Sequence, residues 1–265
     1  MGQEASQPRP GTSLQVIGAG LSRTGTASLS QALEILLDAP VYHGGTQTCL
    51  GPPSHITSWI QILKHTPIRS LSDRAFVLRT LKSTLDGYAA TTDTPGAQFV
   101  PELLELYPDA KVICTVRDPD EWAKSIGATS QQALQWYLRV VLLPLTTMRH
   151  FPAYLDALQA GRYGELYSRP GDANLYRRRV WDRHMEYLKK VVPEEKLVFF
   201  DVRDGWGPLC DALGVDVPET EFPNSNDGQA IEEFAKRQVL AGLVAWGWIL
   251  GGIAAVAGVV SMMKK

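Results

Sequence analysis

Apolar positions along the chain fall into short unbroken runs set between stretches of helical period. Leu14-Gln15-Val16-Ile17-Gly18-Ala19 is one such run and ends in a Gly/Ser/Arg/Thr turn. Leu29, Ala32, Leu33, Leu36 and Leu37 then recur on one helical face, which predicts strand, loop, helix. Residues 110–116 predict a second buried strand, stopping at Arg117-Asp118-Pro119, where proline suits the first turn of a following helix. Residues 196–201 predict a third, and a weaker strand over 88–92 leads into Asp93-Thr94-Pro95. Residues 120–192 read as mostly helical, with Trp181, Met185, Leu188 and Val192 along one stripe of the last helix. The adjacent Arg177, Arg178 and Arg179 are either the solvated side of that helix or a phosphate site. Unbroken apolar strands alternating with helices predict an α/β domain: a central parallel sheet flanked by helices on both faces.

The pattern changes near the C-terminus. Residues 238–263 carry no charge at all, and Ser261 is the one polar residue in the stretch 240–263. As a helix, residues 240–263 would extend about 36 Å, enough to cross a bilayer core of about 30 Å with some tilt. Lys236 and Arg237 flank one end and Lys264 and Lys265 the other, within reach of lipid headgroups. The alternative is a buried C-terminal helix, but such a helix would carry a polar face. The expected organisation is a disordered lead-in (1–12), a globular domain (13–227), a linker or juxtamembrane segment (228–238) and a transmembrane anchor (239–263). No apolar stretch near residue 1 suggests a secretory signal, so a tail-anchored protein is expected, its domain facing the cytosol from the endoplasmic reticulum membrane. Gly247, Gly251 and Ala255 recur every four residues, a small-residue stripe on which two tails could pack as a homodimer. Met1-Gly2-Gln3-Glu4-Ala5-Ser6 fits the N-myristoylation pattern, or is an unmodified lead-in.

Composition removes several classes of function. The 265 residues hold 26 Lys+Arg against 28 Asp+Glu, and with 45% hydrophobic residues the balance is globular rather than disordered. Without Lys264 and Lys265 the rest has 24 basic and 28 acidic residues, about −4 in charge, so no general affinity for nucleic acid is expected. Cys49, Cys114 and Cys210 cannot form an even disulfide framework, and no Cys/His spacing suggests a metal.

Candidate chemistry concentrates in the first turn, Gly20-Leu21-Ser22-Arg23-Thr24-Gly25-Thr26-Ala27-Ser28. A loop between a strand and a helix N-terminus aims backbone N–H groups at an anion, assisted by the helix dipole. Against G-x-x-x-x-G-K-[ST], Gly20 and Gly25 fit, but Thr26 stands for the lysine and Ala27 for the magnesium-binding hydroxyl. A magnesium-dependent kinase or ATPase is therefore not expected. A dinucleotide fingerprint fails because Arg23 occupies the third glycine position. What remains is a metal-free site for a phosphorylated ligand, with Arg23 as its cation.

Leu21 to Leu29, LSRTGTASL, resembles the P-loop sulfotransferase-like family, in the branch whose loop reads roughly LPRTGT-x-SL. Further matches follow in family order: Asp93 and Pro95 in TTDTPGAQF, Arg117 and Ser125 in TVRDPDEWAKS, and the closing pattern over 183–214. The resemblance covers about residues 13–227 and implies a sulfotransferase. Such an enzyme moves a sulfuryl group from 3′-phosphoadenosine 5′-phosphosulfate (PAPS) to a hydroxyl of a small organic acceptor. It implies that Arg23, Thr24, Gly25, Thr26, Ala27 and Ser28 bind the 5′-phosphosulfate, and that Arg117 and Ser125 bind the 3′-phosphate. It also implies Asp93 as general base with Arg23 on the bridging oxygen, and His43 beside the acceptor. On residues alone Asp93 serves equally to cap a helix or hold a turn, and His43 to fill a core position. An exposed aspartate is a weak base, so the catalytic role requires burial beside the acceptor. Two departures stand out: Ala27 replaces a threonine common in relatives, and Asn224 a basic residue that often follows Phe-Pro. The alternative to an enzyme is a non-catalytic membrane-anchored nucleotide-binding or scaffold protein on the same fold.

Overall fold

The structure is a computed structural model that describes residues 4–172, 178–225 and 227–263, so Gly2, Arg177, Lys264 and Lys265 lie outside the described residues. Five strands, β1 (Val16–Gly18), β2 (Val41–His43), β3 (Ala90–Thr92), β4 (Lys111–Thr115) and β5 (Leu197–Phe200), form one sheet. Its order is β2–β3–β1–β4–β5, and every neighbouring pair is parallel. The four expected strands are present; β2, Val-Tyr-His, was not anticipated, since it lacks the longer apolar run that surrounds β1.

Side chains along each strand divide between two cores. Ile17, Tyr42, Val112 and Cys114 face one cluster, whereas Val16, Val41, Ala90, Ile113 and Phe200 face the other. Both faces are therefore dry, as unbroken apolar strands require. On the second face lie α1 (Thr26–Leu37), through Leu29, Ala32 and Leu33, and α11 (Trp206–Leu213), through Trp206, Leu209 and Cys210. The first face carries α3 (Pro53–Lys64), α4 (Leu71–Leu85), α5 (Val100–Leu106), α6 (Pro119–Ala133), α8 (Phe151–Ala160), α9 (Arg162–Tyr167) and α10 (Arg178–Val191). Trp181, Leu188 and Val192 of the expected stripe are buried and Met185 packs beside them; Trp181 sits 5.5 Å from Trp122 of α6 between ring centres. Arg178 and Arg179 lie on the exposed side, paired with Asp120 and Asp172. Two short helices, α2 (Gly44–Leu50) and α7 (Leu138–Val141), complete the domain.

The lead-in differs from its expectation over the described residues 4–12. Ser6 donates its hydroxyl to Val41 O, and its carbonyl accepts from Gln47 Nε2 (2.7 Å) and Tyr88 Oη (3.0 Å). Arg9 N donates to Gly87 O at 2.8 Å, so this stretch lies fixed against the β2–β3 side of the sheet.

The last element is α12 (Asp227–Met263), 37 residues long. Residues 228–238, expected as a linker, are helical: the stretch holds two each of the helix formers Ala, Glu and Gln, and Lys236 bridges back one turn to Glu232 at 2.7 Å. Among the described residues, Gly228–Met263 is a helix long and apolar enough to cross a membrane, and its most apolar window, with a mean hydropathy of 2.1, is not buried. This window is thus no part of the chain's own core. The Gly247, Gly251 and Ala255 stripe is on this helix, and a Cβ added at either glycine would meet nothing within 4 Å. The first turns of α12 touch the domain: Phe234 and Val239 pack on Leu138, Leu142 and Met148, and Trp246 Nε1 donates to Val140 O at 2.9 Å.

Candidate functional site

The chain leaves β1 towards β2 and β3 on one side and later fills β4 and β5 on the other. The carboxyl end of β1 is thus the switch point of the sheet, where open parallel sheets bind ligands. The loop that follows β1 lies there, flanked by Asp93 just beyond β3 and Arg117 just beyond β4.

Contacts that only small residues allow set the loop's path. A Cβ on Gly20 would stand 1.9 Å from Thr115 Oγ1. Thr24 donates its hydroxyl to Leu21 O at 2.6 Å, which leaves Thr115 Oγ1 to donate to Thr24. Gly25, with φ 93°, turns the chain into α1, whose first turn carries no acidic residue to oppose an anion. Two side-chain donors hold the loop's carbonyls from behind. Trp122 Nε1 donates to Ser22 O at 2.9 Å, and His184 Nε2 to Ala19 O at 2.7 Å. The carbonyl can only accept, so Nε2 carries the proton and Nδ1 accepts from Tyr167 Oη at 2.7 Å. Complete burial pushes the His184 imidazole down to about 4, partly opposed by its bond to Ala19.

Arg23, Ser125 and Arg117 come from three elements and meet. Arg23 Nε donates to Ser125 Oγ at 3.2 Å, Arg117 Nη1 to Arg23 O at 3.3 Å, and Arg117 Nη2 to Glu121 Oε2 at 3.0 Å. Beside them a cleft of about 230 Å³ is bounded by Thr24, Gly25, Val116, Val202 and the side chains of Arg117, Glu121, Asp201 and Arg203, so two carboxylates accompany its two guanidinium groups. Arg203 also grips Asp201 and holds that carboxyl below its usual range.

Asp93 occupies the other side of the loop and is buried. Ser22 Oγ donates to its Oδ1, and Gly45 N donates to Oδ2 at 3.2 Å. His43 Nδ1 accepts from Thr46 N (3.2 Å), which leaves the proton of the neutral ring on Nε2. That atom faces Thr26 Oγ1 at 3.2 Å and Asp93 Oδ2 at 3.6 Å. Asp93 and His43 therefore form a carboxylate–imidazole pair tied to the loop through Thr26. A Cβ on Gly45 would lie 2.8 Å from Asp93 Oδ2, so that glycine lets helix and carboxylate approach.

Among the described residues, the non-glycine residues with positive φ are Arg23 (74°), Asp38 and Asp93 (70°). Left-handed backbone is unfavourable for arginine, and strain of this kind gathers where a side chain must be aimed. Thr24 and Gly25 lie in the turn between β1 and α1, and Thr26 opens α1. Ala27 is buried without a polar group, and the Ser28 hydroxyl accepts from Ser225 N (3.1 Å) in the strip after Phe222-Pro223. Ser22, Gly45, Trp122, His184 and Arg203 were not anticipated. The Gly44-Gly45 pair after His43 was the visible signal for one of them; the others depend on contacts across the fold. No group of three or more His, Cys, Asp or Glu among the described residues could hold a metal.

A family described as a sulfotransferase domain matches residues 15–231. The chain is also 31% identical over 225 residues to "Ava biosynthesis cluster protein M" of Aspergillus versicolor, covering 81% of this chain and 82% of that protein.

Proposed function

Because this chain belongs to the sulfotransferase family, we propose that it transfers a sulfuryl group from PAPS to the hydroxyl of a small acceptor, with the loop after β1 holding the donor. The observation that carries the reading is the meeting, across one loop, of the cations Arg23 and Arg117 with the buried Asp93–His43 pair. A nucleotide-sulfate supplies an activated sulfur whose bond to the bridging oxygen breaks as the acceptor oxygen attacks. The residues fit such a group: Arg117 and Arg203 line the cleft beside the loop, Arg23 is joined to Arg117 through its carbonyl, and the first turn of α1 carries no carboxylate; Glu121 and Asp201, which also line the cleft, are each paired with one of its arginines.

In this reading Arg23 binds the bridging oxygen and takes up charge there, while Thr24, Gly25, Thr26, Ala27 and Ser28 offer backbone N–H groups. Arg117 and Ser125 bind the 3′-phosphate that separates such a donor from ATP. Asp93 accepts the acceptor's hydroxyl proton; Ser22, Gly45 and His43 fix the carboxylate in place. His43 also faces the acceptor. We read α12 as an anchor that keeps the domain on the cytosolic side of a membrane.

Thermal unfolding of the full chain in detergent, with 3′-phosphoadenosine 5′-phosphate against ADP, tests the cofactor assignment. Selective stabilisation by the former is expected, with Arg117→Ala weakening that affinity about 10- to 100-fold. Equal indifference to both nucleotides would end the assignment. Turnover of the donor should fall at least about a hundredfold in Asp93→Asn with nucleotide binding intact. Full turnover by that variant would remove Asp93 as the base, and absence of turnover in the unsubstituted chain would favour the scaffold reading.

A further inference from the structure

Residues 134–148 include a single charged side chain, Arg139, and its guanidinium is taken by Asp156 at 2.6 and 2.8 Å. The segment nevertheless presents apolar side chains to solvent: Trp136 is 77% exposed and Val140 52%, with Leu134, Tyr137 and Leu143 beside them. A soluble domain would bury such a cluster, and its place in the fold shows what covers it.

The patch is fastened to α12. Leu138 and Leu142 pack on Phe234 and Val239, Gly242 lies so close that a Cβ would stand 2.2 Å from Val141 O, and Trp246 Nε1 donates to Val140 O. Residues 138–142 are thus level with residues 234–246 of the long helix, Val140 and Val141 lying at its Gly242–Trp246 end. From Trp246 to Met263 is 17 residues, about 26 Å of helix, against a bilayer core of about 30 Å. A core that ends at Met263 therefore begins about 4 Å before Trp246, at the height of the exposed patch. Trp136, Tyr137, Trp246 and Trp248 then lie near the boundary favoured by aromatic rings, and the exposed Arg149 and Arg237 suit anionic headgroups just outside it.

We propose that residues 134–143, centred on α7, form an interfacial foot seated in the lipid surface beside the tail. The inference rests on the reading of α12 as a membrane span and adds a second contact with the same bilayer. It also sets the candidate site near the membrane. α2 runs from Gly45, at the Asp93 carboxylate, to Cys49, which packs on the Leu138–Leu142–Met148 cluster one helical turn away, about 6 Å.

The test uses the full chain reconstituted into phosphatidylcholine vesicles with a minor share of phosphatidylserine. An environment-sensitive fluorophore is attached through Trp136→Cys, Val256→Cys or Glu195→Cys, and quenched either by nitroxide lipids or by aqueous iodide. Position 195 precedes β5 at the far end of the sheet, and labelling of the unsubstituted chain, whose Cys114 and Cys210 are buried, supplies the background. Expected are lipid quenching at 256 from deep nitroxides, lipid quenching at 136 from shallow ones, and iodide quenching alone at 195. Lipid quenching at 256 with iodide quenching at 136 overturns the foot while the tail reading stands. Iodide quenching at 256 overturns the tail reading and the foot with it. Protection at 136 that grows with protein-to-lipid ratio, without lipid quenching, overturns the foot and assigns the face to a second copy of the chain.

Discussion

His184 makes the seat of the loop sensitive to acid in a defined window. Its neutral ring satisfies two buried partners, Ala19 O and Tyr167 Oη, and burial lowers it from the ordinary 6.5 to about 4. A base lowered on folding contributes stability in full above its unfolded value. That contribution is lost as pH falls from about 6.5 and is gone below about 4. Between those limits the unfolded chain binds the extra proton, so stability falls by up to about 1.4 kcal/mol per pH unit and by roughly 3 kcal/mol in all. Carboxylates held low by partners, such as Asp156 with Arg139 and Asp201 with Arg203, act at lower pH, whereas the half-buried His55, also lowered by burial, adds to the slope in the same window, so removing His184 flattens the profile in part. Urea unfolding of the full chain in detergent, followed by tryptophan fluorescence at several pH values from 4 to 7.5, measures the slope. His184→Gln should be less stable at pH 7.5 by about 1–3 kcal/mol, having lost part of a buried hydrogen-bonded pair, but should show a flatter profile. If the variant keeps the full acid slope, the neutral buried imidazole is not its source and the account of the loop's brace fails.

Gly20→Ala would force a methyl group onto Thr115 and Thr24, so destabilisation of roughly 2–4 kcal/mol and loss of nucleotide-induced thermal stabilisation are expected in the same unfolding assay. Arg162 and Glu102 form a nearly buried ion pair, and the Arg162 guanidinium also lies 5.2 Å from the centre of the Phe99 ring. Arg162→Ala should cost about 3–5 kcal/mol by stranding Glu102, whereas replacing both with Met and Leu should cost much less, as a double-mutant cycle would read.

The sheet was legible because its strands are unbroken apolar runs whose neighbours repeat at helical spacing. Residues 41–85 were not read: α2 and β2 are short and α4 carries mixed faces, although Ile56, Trp59, Ile60 and Leu63 of α3 do recur at helical spacing. The loop, Asp93, Arg117 and Ser125 could be singled out from local order and family likeness. Their convergence could not, since it depends on β1 lying between β3 and β4. Trp122 and His184 act on loop carbonyls 100 and 165 positions away in the chain, and no local pattern reports such a bond. The lead-in reads as a polar stretch, but Ser6 finds three partners on the sheet side.

Ser225 gives its amide to Ser28 and its hydroxyl to Gln31, both on α1, and α12 begins two residues later at Asp227. At most about 7 Å of chain therefore separates Ser225, held on α1, from the start of α12. A domain on a long tether samples many tilts above a bilayer and finds its reactants by three-dimensional diffusion. With α12 as the anchor proposed above, so short a connection restricts the domain's tilt, and encounters with anything dissolved in the same lipid leaflet approach a search in a plane. Inserting a flexible stretch after Asn226 would lengthen that connection while leaving every residue of the site untouched.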